Sequence, residues 1–413
     1  MLIQNIKGLV QCRTNHPHAP LKGRELQNLP TMEDAFLLLE NDRIKDFGSM
    51  KDCPEYVGEI MDATNQFVLP SWVDSHTHLV FAAPREEEFV MRLKGKSYQE
   101  ITAAGGGILN SAKKLRETSE EVLLEAAKKR LDEVIHMGTG AIEIKSGYGL
   151  TVEGELKMLR VIQQLKAKSP IPIKATFLGA HAFPAEFANN HQGYIDLIVN
   201  EMIPNISNEG LADYIDAFCE KVAFSVEETR QVLEAGNKHG LKAKVHTNQF
   251  NSMGGIDVCI AQNALSVDHL EVVNEAEIQA LKNSNLIATL LPSAPFFLSD
   301  PYQPARDLID ADIPVALASD FNPGSSPSGN MNFVVALSCI KLGMTPEEAI
   351  NAASLNGAFA LELEQDFGSI TQGKKANLLL TKKIPSVGHI PYAFGSDPID
   401  KVILNGKLYE NAI

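Results

Sequence analysis

The chain of 413 residues is poor in cysteine and has no long apolar run. Its cysteines are odd in number, scattered and never spaced as Cys-x-x-Cys; they are Cys12, Cys53, Cys219, Cys259 and Cys339. Such usage predicts reduced thiols in a cytoplasmic protein rather than a disulfide framework. No stretch approaches the roughly 18 apolar residues of a membrane span. The first five residues also lack the basic start of a signal peptide, so we expect a soluble, cytoplasmic protein.

Basic residues are scarce relative to acidic ones. There are 37 Lys and Arg against 52 Asp and Glu, which gives a formal net charge of −15. This charge disfavours nucleic acid and anionic membranes as partners, and an anionic small molecule would need a locally placed Arg or Lys. We therefore expect a small-molecule substrate, no nucleic-acid or membrane partner, and, by default for a cytosolic protein, a homodimer.

From residue 67 onward, short apolar runs alternate with amphipathic helical patterns. This alternation is typical of βα units and a parallel sheet. Eight runs are present, at residues 67–78, 140–145, 173–180, 214–219, 243–246, 265–269, 287–291 and 315–319. The clearest helical patterns cover 120–136, 152–168, 226–239 and 275–283. Eight such units predict an α/β fold with a (β/α)8 TIM-like barrel, whose chemistry sits at the carboxyl ends of the strands.

The two ends of the chain lack this alternation and contain short strand-like pieces joined by turns. The simplest assembly pairs both ends into one small β domain. We therefore predict that residues 1–65 and 364–413 form a small β-sandwich domain beside the (β/α)8 barrel at 66–363, which ends in a last helix at 346–362.

Histidine and aspartate stand where four of the apolar runs end. The first run ends in His76-Thr77-His78, and residues two apart on a strand point to the same face. His246 ends the fifth run, His269 the sixth, and Asp320 follows the eighth. A single strand-end histidine is more often an ordinary core or loop residue. Their joint placement at four strand ends favours a metal site.

His76, His78, His246 and Asp320 together make a shell of three nitrogens and one oxygen with room for a water. This open pattern is typical of one catalytic zinc or iron ion per chain, and the residues alone do not choose between the two metals. Such an ion lowers the pKa of its water toward neutrality. His269 would then lie beside that water as a base or an orienting group.

This ligand set resembles that of the amidohydrolase superfamily, and residues 368–378 resemble its C-terminal β segment. Longer strings at 143–150, 177–182 and 320–327, and shorter ones at 76–81, 85–86 and 92–95, resemble the imidazolonepropionase family of histidine degradation. The resemblance covers essentially the whole chain. It implies metal-dependent hydrolysis of 4-imidazolone-5-propanoate to N-formimino-L-glutamate, in which a metal-activated water attacks the ring carbonyl.

The resemblance also implies which residues hold the substrate. Arg85 would bind the propionate bidentately, although a surface ion pair with the acidic residues at 86–88 is an equal alternative without the resemblance. Tyr98 and Tyr148 would add hydroxyl donors, and His181 would hydrogen-bond the ring. The loop residues Asn322, Gly324 and Ser325 resemble those that hold the product's other end.

His269 or Asp320 would take the water's proton, and the sequence leaves that choice open. Related purine and pyrimidine deaminases carry a proton-shuttling Glu three residues after the strand-five histidine. Here that place is Gln249, which cannot do acid–base work, so deaminase is the weaker alternative beside another cyclic-amide hydrolase. A non-catalytic binding protein is a further alternative, and the intact ligand set argues against it.

Overall fold

The computed structural model describes residues 1–96, 100 and 105–410. Its strands, in chain order, are β1 (Leu2–Val10), β2 (Thr31–Glu40), β3 (Arg43–Ser49), β4 (Ile60–Asp62), β5 (Phe67–Pro70), β6 (Trp72–Asp74), β7 (Thr139–Lys145), β8 (Ile173–Ala180), β9 (Tyr214–Cys219), β10 (Lys242–Thr247), β11 (Ser266–His269), β12 (Ile287–Leu290), β13 (Val315–Leu317), β14 (Leu378–Thr381), β15 (Ile399–Leu404) and β16 (Lys407–Leu408).

The α-helices are α1 (Glu86–Leu93), α2 (Ile108–Glu117), α3 (Glu120–His136), α4 (Val152–Lys168), α5 (His191–Leu197), α6 (Ile203–Glu209), α7 (Val226–Lys238), α8 (Gly255–Ala261), α9 (Glu275–Lys282), α10 (Ser293–Leu298), α11 (Ala305–Asp310), α12 (Met331–Leu342), α13 (Pro346–Asn351), α14 (Gly357–Phe359) and α15 (His389–Tyr392). Short 3₁₀ turns cover Gly23–Gln27, Met50–Asp52 and Ala185–Phe187, and π-helical turns cover Ile198–Met202 and Ala352–Asn356. No helix in the described part of the chain is long and apolar enough to cross a membrane.

Strands β6 to β13 form one parallel sheet in chain order, and this sheet curves into a barrel. The barrel is brought together just beyond the last strand, where the backbone N–H of Asp320 donates to the carbonyl of His76 at 3.0 Å and that of His78 donates to the carbonyl of Phe321 at 2.9 Å. The buried carboxylate of Asp74 adds a tie, because it accepts from both the N–H (3.0 Å) and the hydroxyl (2.5 Å) of Ser319. The predicted (β/α)8 architecture is confirmed.

The chain ends form a second, mixed sheet of eight strands in the order β16-β15-β14-β5-β1-β2-β3, with β4 beside β1. Alternate residues of β1 and β2 pack with β14 and β15 into an apolar core of their own, which includes Ile3, Leu37, Leu378 and Ile403. The two halves of this sheet are more than 300 residues apart in sequence, which agrees with the predicted pairing of both chain ends.

The expectation that residues 67–78 form one strand is wrong. Phe67–Pro70 pairs with β1 and β14 in the mixed sheet, and only Trp72–Asp74 enters the barrel. Ser71 is the crossing point: its N–H donates to Asn377 at 3.0 Å, while the next N–H, of Trp72, donates to Gly138 at 3.0 Å. His76 and His78 therefore follow the first barrel strand rather than lying on it.

Two of the predicted helices, at 120–136 and 152–168, have the bounds that the sequence predicts. Each begins at a hydroxyl cap, since Ser119 accepts from the N–H of Val122 at 3.4 Å and Thr151 accepts from that of Gly154 at 3.1 Å. The predicted helix at 346–362 is instead α13, a π-helical turn and α14. Within that turn, the amide of Asn356 donates to the carbonyls of Leu21 and Val315, both at 2.8 Å, which ties the turn to the barrel.

Candidate active site

Four buried side chains converge at the carboxyl end of the barrel. His76, His78, His246 and Asp320 each offer one ligand atom, and all four atoms lie within 4.8 Å of one another. The Nε2 atom of His246 is 3.0 Å from Nε2 of His76 and 3.2 Å from Nε2 of His78. Oδ1 of Asp320 lies 3.5 Å from Nε2 of both His76 and His78. The structure thus brings together the four residues that the sequence predicts as ligands.

The protonation of these histidines suits a metal ion. Asp268 Oδ2 lies 2.6 Å from Nδ1 of His76, and Asp216 Oδ2 lies 2.8 Å from Nδ1 of His246. A carboxylate accepts a proton-bearing nitrogen, so each imidazole carries its proton on Nδ1 and directs the lone pair of Nε2 into the site. Burial, with the neighbouring cations, holds the pKa values of His76, His78 and His246 well below the usual range, which keeps them in the neutral, ligating form.

Two lone pairs that face each other at 3.0 Å cannot hydrogen-bond, whereas a cation between them would be bound by both. A tetrahedral ion with donors at roughly 2.0–2.1 Å separates neighbouring donors by roughly 3.3 Å. The separations of 3.0, 3.2 and 3.5 Å match that requirement. The donor set, its protonation and its spacing therefore all fit a metal ion.

A buried lysine holds the carboxylates that orient these histidines. Nζ of Lys145 lies 2.7 Å from Glu143 Oε1, 2.9 Å from Asp216 Oδ2 and 3.9 Å from Asp268 Oδ2, with all four side chains fully buried. Burial alone would lower the pKa of Lys145, but Asp216 and Glu143 raise it above its usual value, so the lysine stays charged. Sequence reasoning missed this network. The available signal was the presence of charged residues inside strands that are otherwise apolar.

Asp216→Asn should weaken metal binding, because it removes the charge that fixes the His246 tautomer and raises its basicity. We expect the affinity for Zn²⁺ to fall roughly 10- to 100-fold, the range for a lost outer-shell partner. Competition with a chromophoric chelator measures this affinity, and a thermal melt of the metal-free protein reports folding. Asp213→Asn is the matched control, since Asp213 pairs with Lys166 and Lys174 near the surface. Equal affinities of Asp216→Asn and wild type would contradict the assignment.

Three of the four converging residues, His78, His246 and Asp320, line a cavity of about 540 Å³. Its lining contains the predicted residues Arg85, Tyr148, His181, Gln249, His269, Asp320, Asn322, Gly324 and Ser325. Tyr98 lies outside the described residues, so its role stays a prediction. Residues separated by more than 200 positions in sequence thus meet at one opening, at the end of the barrel where the sequence places the chemistry.

His269 lines the cavity but is not one of the four converging residues. Its ring centroid is 5.3 Å from that of His246, and its backbone is in the left-handed region at φ 90°. Nδ1 of His269 lies 3.3 Å from Oε1 of Glu271, which also accepts from the amide of Gln303 at 2.8 Å. This contact leaves Nε2 of His269 available to a ligand.

The surroundings of His269 and Asp320 raise the pKa of both side chains. Burial alone would lower the pKa of His269, but the carboxylates of Glu271 and Asp320 raise it to about 9. Burial raises the pKa of Asp320 to about 7, and His269 partly offsets that rise. A cation held by Asp320 would favour its ionised form. Near neutral pH, His269 therefore holds a proton, and Asp320 is the group that can release one.

His181 and Tyr148 form one wall of the cavity. Nδ1 of His181 lies 3.0 Å from the carbonyl of Gly147, so Nδ1 is the proton-bearing donor there. Burial lowers the pKa of His181 to about 4, which keeps the ring neutral. Gly147 has a φ of 109°, and a Cβ at that position would lie 2.9 Å from Nδ1 of His181, so glycine is needed there. Burial raises the pKa of Tyr148, whose hydroxyl therefore stays protonated.

Arg85 combines the two alternatives that the sequence leaves open. Its Nε and Nη2 atoms donate to Glu88 Oε2 at 2.9 and 2.6 Å, yet the side chain also lines the cavity. A Cβ on Gly324 would lie 2.5 Å from Nη1 of Arg85, so this glycine allows the guanidinium to approach the loop. Asn322 shapes that loop, because its Oδ1 accepts from the N–H groups of Gly324 and Ser325 at 2.7 and 2.8 Å.

Comparisons with known proteins place these features in context. The model of the Amidohydrolase family matches residues 67–409. The chain is 58% identical over 408 residues to imidazolonepropionase of Flavobacterium johnsoniae (98% of this chain, 99% of that protein). It is 55% identical over 409 residues to imidazolonepropionase of Christiangramia forsetii (99% of each). A mutant atrazine chlorohydrolase of Arthrobacter aurescens, complexed with zinc and atraton, has a similar fold, with a TM-score of 0.72 at 15% identity over 98% of this chain and 94% of that chain.

Proposed function

The chain belongs to the imidazolonepropionase family of the amidohydrolases, and we propose that its cavity is the site where 4-imidazolone-5-propanoate is hydrolysed to N-formimino-L-glutamate. The observation that carries this proposal is the meeting, in one cavity, of the buried ligand cluster with an arginine suited to a carboxylate. The reaction needs both parts, since the ring carbonyl must be made electrophilic and the propionate must be held.

We assign His76, His78, His246 and Asp320 as the residues that hold one zinc or iron ion per chain. Three imidazoles and a carboxylate suit either metal. When bound, such an ion polarises a carbonyl oxygen and lowers the pKa of a water molecule toward neutrality. The fully buried Lys145 network, through Asp268 and Asp216, keeps the imidazoles of His76 and His246 oriented for that ion.

The remaining residues bind the substrate and move its protons. Asp320 is placed to accept the proton of the attacking water, and His269, oriented by Glu271 and with its pKa raised to about 9, is placed to hold a proton for the departing nitrogen. Oxygen then adds to the ring carbonyl carbon, the adjacent C–N bond breaks, and the departing nitrogen receives a proton. This sequence leaves a new carboxylate and a formimino group. Nε2 of His181 and the side-chain amide of Gln249, which have no hydrogen-bond partner among the described residues, can bond the ring.

A deaminase is the alternative within the same fold. Its chemistry requires a group that carries a proton to the ring nitrogen, and Gln249, which lines the cavity at that position, has no ionisable proton. Another cyclic-amide hydrolase would keep the same ligands, but one whose substrate has no carboxylate would have no use for Arg85. The substrate's carboxylate is therefore the feature that separates these possibilities.

Freshly made 4-imidazolone-5-propanoate tests the proposal directly. We expect rapid loss of its ultraviolet absorbance with the metal-loaded protein, formation of N-formimino-L-glutamate in equal amount, and loss of the rate after chelation. Guanine and cytosine should release no ammonia under the same conditions. Efficient deamination of either base, or absence of hydrolysis by fully loaded protein, would refute the proposed substrate.

Arg85→Met should weaken binding of 4-imidazolone-5-propanoate by roughly 10- to 100-fold, since a charge-assisted hydrogen bond to a carboxylate contributes on the order of 1.5–3 kcal/mol. Arg85→Lys keeps the charge but loses the planar fork, so its KM should fall between wild type and Arg85→Met. Steady-state kinetics give these values. An imidazolone without the propionate should react poorly with wild type and no worse with the variants. A wild-type KM for Arg85→Met would exclude this role.

A further inference from the structure

The positive charge of Arg85 is already offset within the protein. Both its Nε and Nη2 atoms contact one oxygen of Glu88, and the other oxygen of Glu88 accepts from the backbone N–H of Gly107 at 3.0 Å. Arg85 and Glu88 are each largely buried, at 18% and 16% side-chain exposure, so water screens this pair weakly. A substrate anion that reaches Arg85 thus meets a nearly neutral pair in a protein whose net charge is −15.

A second guanidinium, that of Arg92, lines the same cavity and is not paired in this way. Across residues 1–96, 100 and 105–410, no carboxylate oxygen lies within 4.0 Å of it and no acceptor receives a hydrogen bond from it. Asp300 also lines the cavity, but it is farther than that limit from Arg92. The N–H donors of Arg92 are therefore available to a ligand.

Aromatic rings hold the Arg92 guanidinium in place. Its Cζ atom lies 4.7 Å from the centroid of the Phe297 ring and 5.8 Å from that of Phe89. These two rings stack on each other with centroids 5.2 Å apart and planes 21° apart. Because a guanidinium bound to a ring face keeps its edges free, this platform presents the N–H donors without an ion pair.

Arg85 is among the charged groups that act on the guanidinium of Arg92. Partial burial lowers the pKa of Arg92, the charge of Arg85 lowers it further, and Asp300 and Glu88 oppose that effect. An arginine remains a cation under these conditions. Both guanidiniums line the same cavity, so a carboxylate held there is stabilised by both.

We propose that Arg92 is a specificity-determining residue, supplying a positive charge that no described carboxylate pairs with and that attracts the substrate's propionate, while Arg85 in its pair with Glu88 directs hydrogen bonds to it. This inference rests on the proposed function for the identity of the carboxylate. The two arginines then have different roles. Arg92 contributes the net electrostatic attraction for the carboxylate, and Arg85 contributes the hydrogen bonds that orient it. Two cations sharing one carboxylate also explain how an acidic protein retains an anionic substrate.

Arg92→Met should raise the KM for 4-imidazolone-5-propanoate roughly 10- to 100-fold with little change in kcat, since it removes binding common to ground and transition states. Arg92→Gln removes the charge but keeps an amide donor, and it should give most of the same increase. Arg92→Lys should fall between. The propanamide of the substrate, which has no carboxylate, should react equally with wild type and all three variants. Arg230→Met is the matched control, because Arg230 pairs with Glu227 on an outer helix.

Binding of glutarate, measured by calorimetry on the metal-loaded protein, separates this proposal from the proposed reaction. We expect Arg92→Met and Arg92→Gln to weaken glutarate binding and Arg230→Met to leave it unchanged, with equal metal content and thermal midpoints. Dependence of glutarate binding on Arg92 in a protein that fails to hydrolyse 4-imidazolone-5-propanoate would refute the reaction and support the anion subsite. Unchanged KM and unchanged glutarate binding in correctly folded Arg92→Gln would overturn the role of Arg92.

Discussion

His246→Ala should lose most of the bound metal and, with it, nearly all hydrolysis of 4-imidazolone-5-propanoate. His246 contributes the nitrogen that lies closest to both other imidazoles, at 3.0 and 3.2 Å. Its removal leaves three of the four donor side chains and takes away the imidazole N–H that Oδ2 of Asp216 accepts. Wild-type protein should contain close to one zinc or iron ion per chain by elemental analysis, and the variant should contain little.

His239→Ala is the control, because His239 is an exposed residue at the end of helix α7. It should retain metal and turnover. Full metal occupancy of His246→Ala would remove His246 from the ligand set. Two ions per wild-type chain would contradict a single four-residue site.

The convergence of these four residues could be predicted from the sequence because a parallel barrel imposes a simple rule. Strand ends meet at one rim, so a histidine at the end of each of two adjacent runs must lie near its neighbour. In the structure β10 and β11 pair so that His246 is opposite Asp268 and Thr247 is opposite His269. The side-chain period of two then directs His246 toward the other ligands. Strand register and the two-residue period of side chains are enough to predict this convergence, and neither depends on the conformation of the loops.

The crossing from one sheet to the other at Ser71 could not be predicted in the same way. Residues 67–78 form one apolar stretch, and both parts of it are buried. Periodicity cannot distinguish one long strand from two short ones that belong to different sheets. The partner of Ser71 is Asn377, whose position depends on how the chain returns after the barrel.

The partners of the site residues were also beyond sequence reasoning. Lys145 contacts Asp216 and approaches Asp268, and the guanidinium of Arg85 approaches the loop at Gly324. Each contact depends on side-chain rotamers and on distances across the barrel, which leave no fixed spacing in the chain. The sequence therefore indicated which groups the site contains but not which of their charges are already compensated.

His269→Ala tests the division between residues that hold the metal and residues that act on the substrate. His269 lines the cavity, lies outside the converging group, and is held through Nδ1 by Glu271. The variant should retain close to one metal ion per chain. It should lose roughly 10²- to 10⁴-fold in kcat, the range typical of a positioned acid–base group.

Glu271→Gln should act in the same direction as His269→Ala but more weakly, because it keeps the imidazole and removes only the charge that orients it and raises its pKa. Metal analysis and kinetics on the same samples separate the possibilities. If His269→Ala loses its metal in proportion to its activity, then His269 is a ligand and the proposed division is wrong. If it retains both metal and turnover, proton transfer depends on Asp320 alone. The expected result, full metal with slow turnover, would show that the ion is insufficient for hydrolysis without an oriented imidazole beside it.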